Sequence, residues 1–190
     1  PRWTKRVRRL GWLVLPGAFG AGVAQVNMLV DLWFASHLPP GAQSYLFYAD
    51  RLNQLPLGVV GLALGTALLP LLSRHVGAGR TEEARGTLNR AIHLAMLLTL
   101  PAAAALVLVA GPIVVGLFER GAFDREASLA TAATVQAFAL GLPAYVLVKV
   151  MAPAFFARED TRTPVIVAAI ALVANILFIL LFIDALAHVG

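Results

Sequence analysis

The sequence has no cysteine and little charge. Without cysteine there is no disulfide framework, no thiol nucleophile and no Cys-ligated metal, and the redox compartment cannot be read. Charged residues make up 13% of the 190 residues and apolar residues 59%. A soluble globular chain carries roughly 25% charged and about 45–50% apolar residues. Both the soluble and the disordered classes are therefore excluded. Lys and Arg number 15 against 10 Asp and Glu, but the basic residues are dispersed through apolar sequence and form no stripe that would follow a nucleic acid. The motifs of phosphate-binding, serine-hydrolase and zinc-protease enzymes (GxxxxGK[ST], GxSxG, HExxH) are missing, and His37, His75, His93 and His188 stand without metal-ligating neighbours. Nothing in the chain reads as an enzyme, a metal centre or a nucleic-acid partner. With a mean hydropathy of +0.81, it reads as an integral membrane protein.

What is present is long apolar runs. A helix needs about 20 mainly apolar residues to cross ~30 Å of hydrocarbon. Five segments qualify, approximately 10–36, 45–72, 91–117, 130–157 and 164–183. None alternates with period two as a barrel strand does. The fold class is thus all-α, a polytopic transmembrane bundle forming a single membrane domain over residues 1–190. The first run is too long for a signal peptide and lacks a small-residue cleavage site; the opening at Pro1 in place of Met suggests a piece of a longer protein. Between the runs, Pro39, Pro40 and Gly41 make a tight turn. Thr81 is expected to cap a short surface helix leading into the third span, and Asp124 to cap the fourth. Pro164 suits the first turn of the fifth.

Basic residues set the orientation. Eleven fall on one side: Arg2, Lys5, Arg6, Arg8 and Arg9; Arg74, Arg80, Arg85 and Arg90; Arg158 and Arg162. Two, Arg120 and Arg125, fall on the other. Short cytoplasmic loops collect Lys and Arg, so the N-terminus is expected inside and the C-terminus outside.

Charges inside spans are expensive and face a cavity or a partner. This chain has Asp31, Asp50, Arg51 and Lys149 there. In the second span Asp50 and Gln54 are four apart and share a face. Pro56 removes the partner of the Leu52 carbonyl, which predicts a kink. Gly58, Gly61 and Gly65 then leave a smooth surface for a neighbouring helix. Arg51 either lines a polar cavity and meets an anion or pairs with Asp50 or Asp31 for structural reasons; the residues alone leave both readings open. Asn27 and Asp31 share one face of the first span, which Pro16, Gly17, Gly20 and Gly22 should bend, and Asp31 lies at a depth similar to Arg51. Asp31 and Asn27 could alternatively hold a cation. Lys149 is expected to snorkel toward the cytoplasmic side, and Asn175 to be an interhelical hydrogen-bonder.

Four stretches then carry a family resemblance. Tyr45 to Ser73, containing Ala49-Asp50-Arg51, resembles the eighth transmembrane helix of the MurJ (MviN) lipid II flippases, and Leu117 to Phe123, Ala139 to Ala144 and Val148 to Pro164 agree with the same family. By that likeness the five spans correspond to helices seven to eleven of a fourteen-helix, two-lobed transporter of the MOP exporter superfamily. The implied activity is transport, not catalysis. The resemblance implies movement of undecaprenyl-pyrophosphate-linked peptidoglycan precursor (lipid II) from the inner to the outer leaflet of the bacterial inner membrane by alternating access. It implies membrane lipid and the remaining lobe of the same protein as partners. Arg51 matches the family arginine that faces the cavity, with Asp50 and Gln54 beside it as substrate-binding residues. Asp31, with Asn27 and plausibly Asn175, matches a coupling or gating site. No cofactor is implied beyond coupling to Na+, to H+ or to membrane potential, with a monovalent cation near Asp31 and Asn175. One turn after Asn175, where a further ligand is expected, this sequence has Ile179. The rival readings are another exporter of the superfamily (a drug/cation antiporter or polysaccharide flippase) and a non-transporting membrane scaffold.

Overall fold

A computed structural model describes residues 22–23, 25–37 and 41–187, with side chains to 181. The basic cluster Arg2 to Arg9, the bend expected at Pro16, Gly17 and Gly20, the turn at Pro39 and Pro40, and His188 lie outside the described residues. The chain divides into two compact units, Pro1–Leu38 with Glu159–Gly190, and Pro39–Arg158. Every regular element among the described residues is helical, as a bilayer demands of a chain that is not a closed barrel.

In the first unit, helix α1 runs over 25–35 and helix α6 over Arg162–Ala187. α6 starts two residues before the expected 164 because Asp160 caps it. The Asp160 carboxylate accepts the backbone N–H groups of Arg162 (3.1 Å) and Thr163 (3.0 Å) and the Thr163 hydroxyl (2.6 Å). The Thr163 hydroxyl first, then its backbone N–H, hold the Asp160 carboxyl below the usual carboxylate range. Pro164 falls in the first turn, where its missing N–H leaves no bond unmade.

In the second unit, α2 (Ala42–Pro56), a π-helical stretch (Leu57–Leu62) and α3 (Ala63–Gly77) form one continuous rod, followed by α4 (Thr81–Phe118) and α5 (Arg125–Phe156). Gly41 opens α2 at φ 97°, a left-handed conformation that glycine adopts without strain. α4 differs from the expectation at its start. The short surface helix and the third span are one 38-residue helix, and Thr81 is its first residue, with Arg80 at the cap position and no side-chain cap. The acids of its first turn are compensated instead by Arg80 to Glu83 (3.1 Å) and Arg85 to Glu82 (3.1 Å), with a His75 ring nitrogen 3.2 Å from Glu83. Asp124 caps α5 as expected, accepting the Ala127 N–H at 2.9 Å.

Four of the described helices are long and apolar enough to cross a membrane: Ala42–Gly77, Thr81–Phe118, Arg125–Phe156 and Arg162–Leu181. The buried faces are built from small residues. On α5 Ser128, Ala132, Val135, Ala139, Leu142, Val146, Val150 and Pro153 are buried at steps of three and four, and on α4 Ala91, Ala95, Thr99 and Ala103 recur every fourth residue. Lipid tails are as apolar as leucine, so burial supplies little drive in a bilayer and close backbone approach through small side chains takes its place. Leu108, Leu140 and Val59, each at least 74% exposed, stand on the outer surface. Gln136 ties α5 to α4 through the Val107 carbonyl (2.9 Å).

Candidate functional site

The π-helical stretch decides what α2 presents. Leu52 and Leu68 are both buried, yet sixteen residues of straight α-helix at about 100° each would place them about 160° apart. A π turn absorbs one extra residue and brings that offset to about 60°. Ala49 and Leu72, also buried, are realigned likewise. The disturbance expected as a kink at Pro56 thus takes the form of a six-residue π stretch directly after it, with the Leu57 N–H shared between the Asn53 and Gln54 carbonyls. With Ala49 and Leu52 turned inward against Ala110, Val114, Ala132 and Val135, Arg51 lies about 100° from Leu52 and about 160° from Ala49. It therefore projects from the face that α4 and α5 leave uncovered.

An aromatic group fastens the rod in that rotation. Tyr48 packs on Phe118 (4.8 Å) and Phe123 (5.3 Å), rings that bracket the α4–α5 turn. On the outward face the Arg51 guanidinium sits 4.7 Å from the centroid of the Phe47 ring and donates to Gln54 Oε1 at 3.4 Å. Gln54 Nε2 in turn donates to Asp50 Oδ2. Asp50, Arg51 and Gln54 are therefore brought together, and Gln54 stands between the two charges. Among the described residues of this unit no carboxylate comes within 4.0 Å of Arg51, so the direct Asp50–Arg51 pair does not form. Phe47, one turn before Arg51, was not singled out in the sequence; its i, i+4 spacing was the signal.

In the first unit Asn27, Asp31 and Asn175 also meet. Asn175 Nδ2 donates to Asp31 Oδ1 (2.7 Å) and to Asn27 Oδ1 (3.0 Å), and Asn27 Nδ2 donates to Asp31 Oδ2 (3.2 Å). Both Asp31 carboxylate oxygens thus accept from amides, which satisfies that side chain where α1 meets the apolar helix α6. Asn175 makes the interhelical bonds expected of it. Asp31 and the amide oxygens of Asn27 and Asn175 are hard oxygen donors with one formal negative charge between them, but here both Asp31 oxygens and the Asn27 amide oxygen are taken by amide N–H groups. Ile179, one turn on, adds no oxygen. Among the described residues no group of three or more His, Cys, Asp or Glu could hold a metal ion. An open hollow of about 560 Å³ at the α3–α4 turn, lined by His75, Glu82, Glu83, Gly86, Thr87 and Arg90, contains none of these site residues.

Apolar rods with an outward-facing arginine in one unit and a compensated carboxylate in the other define a multi-pass helical membrane protein with polar sites inside its spans, the class that includes membrane transporters. Residues 1–190 match the family described as lipid II flippase MurJ. The chain is 47% identical over 190 residues to the probable lipid II flippase MurJ of Rhizobium meliloti, covering all of this chain and 35% of that relative. To the probable lipid II flippase MurJ of Haemophilus influenzae it is 38% identical over 95% of this chain and 37% of the relative. A solved structure named lipid II flippase MurJ, inward closed conformation, is similar with a TM-score of 0.80 at 28% identity, over 95% of this chain and 39% of that one. The chain belongs to the MurJ lipid II flippase family. It spans about a third of the length of the curated relatives it matches.

Proposed function

We propose that this chain forms part of the C-terminal lobe of a lipid II flippase in the bacterial inner membrane. The substrate is the undecaprenyl-pyrophosphate-linked muropeptide, moved from inner to outer leaflet by alternating access against the remaining lobe of the same protein. The observation that carries the reading is Arg51, an arginine within a span that projects from its unit with no carboxylate on it. A diphosphate would offset the cost of placing that charge there, and the planar guanidinium can donate two parallel bonds to it. Phe47 and Gln54 hold the guanidinium from either side. Gln54 also holds Asp50, which keeps the acid from competing with the phosphate. The lipid tail stays in the bilayer while the two lobes rock about the headgroup.

The Asn27, Asp31 and Asn175 group is the coupling site of this proposal. Asp31 would hold the charge of Na+ or a proton, or respond to membrane potential, with the two amides orienting its carboxylate. The bias of eleven basic residues against two supports an N-terminus in the cytoplasm and a C-terminus outside.

The test is substitution in the intact flippase. Arg51→Ala should abolish lipid II transport while the protein inserts and accumulates normally, and Arg51→Lys should restore it only in part. If Arg51 is structural, Arg51→Ala lowers abundance and removal of Asp31 or Asp50 as well rescues it. Normal abundance with normal transport in Arg51→Ala would defeat the proposal.

A further inference from the structure

We infer that the break at Pro56 is a buried water site, built from one backbone oxygen and one side-chain oxygen that the chain itself leaves without donors. The backbone oxygen is the Leu52 carbonyl. Its helical donor would be the N–H of residue 56, which proline lacks. The next N–H along the rod, that of Leu57, is shared between the Asn53 and Gln54 carbonyls. The side-chain oxygen is Asn53 Oδ1, which is enclosed by protein and has no hydrogen-bond partner. Leu52 is only 6% exposed. The two acceptors thus belong to consecutive residues, directly ahead of the π stretch and inside the span Ala42–Gly77.

An enclosed acceptor without a donor is costly, and inside a bilayer no bulk solvent relieves the cost. Elsewhere the rod supplies its own donors. At the far end of the π stretch the Thr66 hydroxyl donates to the Leu62 and Ala63 carbonyls, at 2.9 and 3.1 Å. Thr99 and Thr131 also have enclosed oxygens without partners, but a hydroxyl carries its own proton and can turn it to the carbonyl four residues back. An amide oxygen has no proton to give. Leu52 and Asn53 therefore need a donor from outside the chain. Charge decides which kind. Both oxygens are neutral, Arg51 adjoins them in the sequence, and Asp50 is engaged by Gln54. A cation there would lack a countercharge. Water brings two protons and no charge, matching two acceptors. Water inserted in the hydrogen-bond ladder is also a recognised cause of helix distortion. Because water changes partners readily, it lets the two arms of the rod tilt about Pro56 with both oxygens still bonded.

The test is water-edited solid-state NMR on an isotope-labelled, full-length flippase carrying this segment, reconstituted in proteoliposomes. Polarisation passes from water protons to the carbons nearest them. At short mixing times signal is expected at the Leu52 carbonyl carbon and at Asn53 Cγ. None is expected at the carbonyls of Ala49 and Val60, which are buried on the same rod on either side of the break. Pro56→Ala supplies the missing N–H and should abolish transfer to Leu52. Asn53→Leu removes the other acceptor and should weaken it. Replacing Na+ with choline should change nothing. The inference is overturned by absence of transfer at either carbon, or by equal transfer to Ala49 and Val60, which would make the whole face wet. It is overturned equally by transfer to Leu52 that persists undiminished in either variant, which would trace the signal to surface water. Dependence on Na+ would put a cation at the break and overturn it too. The comparison of Leu52 and Asn53 with Ala49 and Val60 requires no substitution, so it decides even where a variant does not fold. None of these outcomes depends on the reading of Arg51.

Discussion

Gly58, Gly61 and Gly65 look equivalent in the sequence, but the structure ranks them. A Cβ at Gly58 meets nothing within 4 Å. At Gly61 it meets the end of the Leu57 side chain at 3.3 Å, which can swing away, and the Lys149 stem at an ordinary 3.5 Å. At Gly65 it stands 3.1 Å from the backbone carbonyl oxygen of Lys149, which cannot move without parting the helices. That carbonyl is also the one to which Pro153, four residues on, offers no N–H. Each Gly→Ala change gains helix propensity of about 0.8–1 kcal/mol, nearly common to all three, so differences between the variants report the contact. Overpacking of this kind costs about 1–3 kcal/mol. The expected order of stability is Gly58→Ala above Gly61→Ala, with Gly65→Ala about 1–3 kcal/mol below Gly58→Ala. Reversible unfolding of the purified protein in mixed micelles, followed by circular dichroism, measures it. Equal stability of Gly65→Ala and Gly58→Ala would refute the close approach of α3 and α5 and the role assigned to the π stretch in producing it.

Asn175→Leu removes two bonds between α6 and α1, worth about 0.6 kcal/mol on average and at most about 1.7 each within a membrane. It should destabilise the protein by about 1–3 kcal/mol, whereas Asn175→Asp should lose more by facing Asp31 with a like charge; equal effects would argue against the hydrogen-bonded group. The lowered pKa of Asp160 makes its cap a source of stability present above the ordinary carboxylate value of about 3.9 and lost as pH falls through the lower folded value. Protection of the Arg162 and Thr163 amides from hydrogen exchange should fall in that acid window, and Asp160→Asn should flatten the dependence. For orientation, cysteines at Gly41 and Ala122 should react with an impermeant thiol reagent added outside intact cells, and one at Gly79 should not; labelling at Gly79 would reverse the assignment.

Much of the site was legible from one dimension. Asn27 and Asp31, and Asp50 and Gln54, are one turn apart, and one turn of helix suffices to place them together. Asp124 was legible as a cap because its partner lies three residues away. Thr81 followed the same local rule and was misplaced, since Arg80 takes the cap position and the helix continues unbroken into the span. The Asp50–Arg51 alternative could not be resolved locally. Adjacent residues on a helix point about 100° apart, and the bridge through Gln54 depends on side-chain torsions that the sequence does not display.

The sequence by itself determined the class, the helical content and the count of apolar runs, because in a bilayer every backbone polar group must be satisfied within its own segment. That requirement can be checked along the chain without knowing any neighbour. Tertiary structure decided which faces those helices turn toward one another. The bond from Asn175 to Asn27 joins residues 148 apart, the π stretch brings the buried faces of α2 and α3 into line, and of three similar glycines only Gly65 meets an immovable backbone oxygen. These depend on the accumulated phase of long helices, in which one extra residue turns everything beyond it by about 100°.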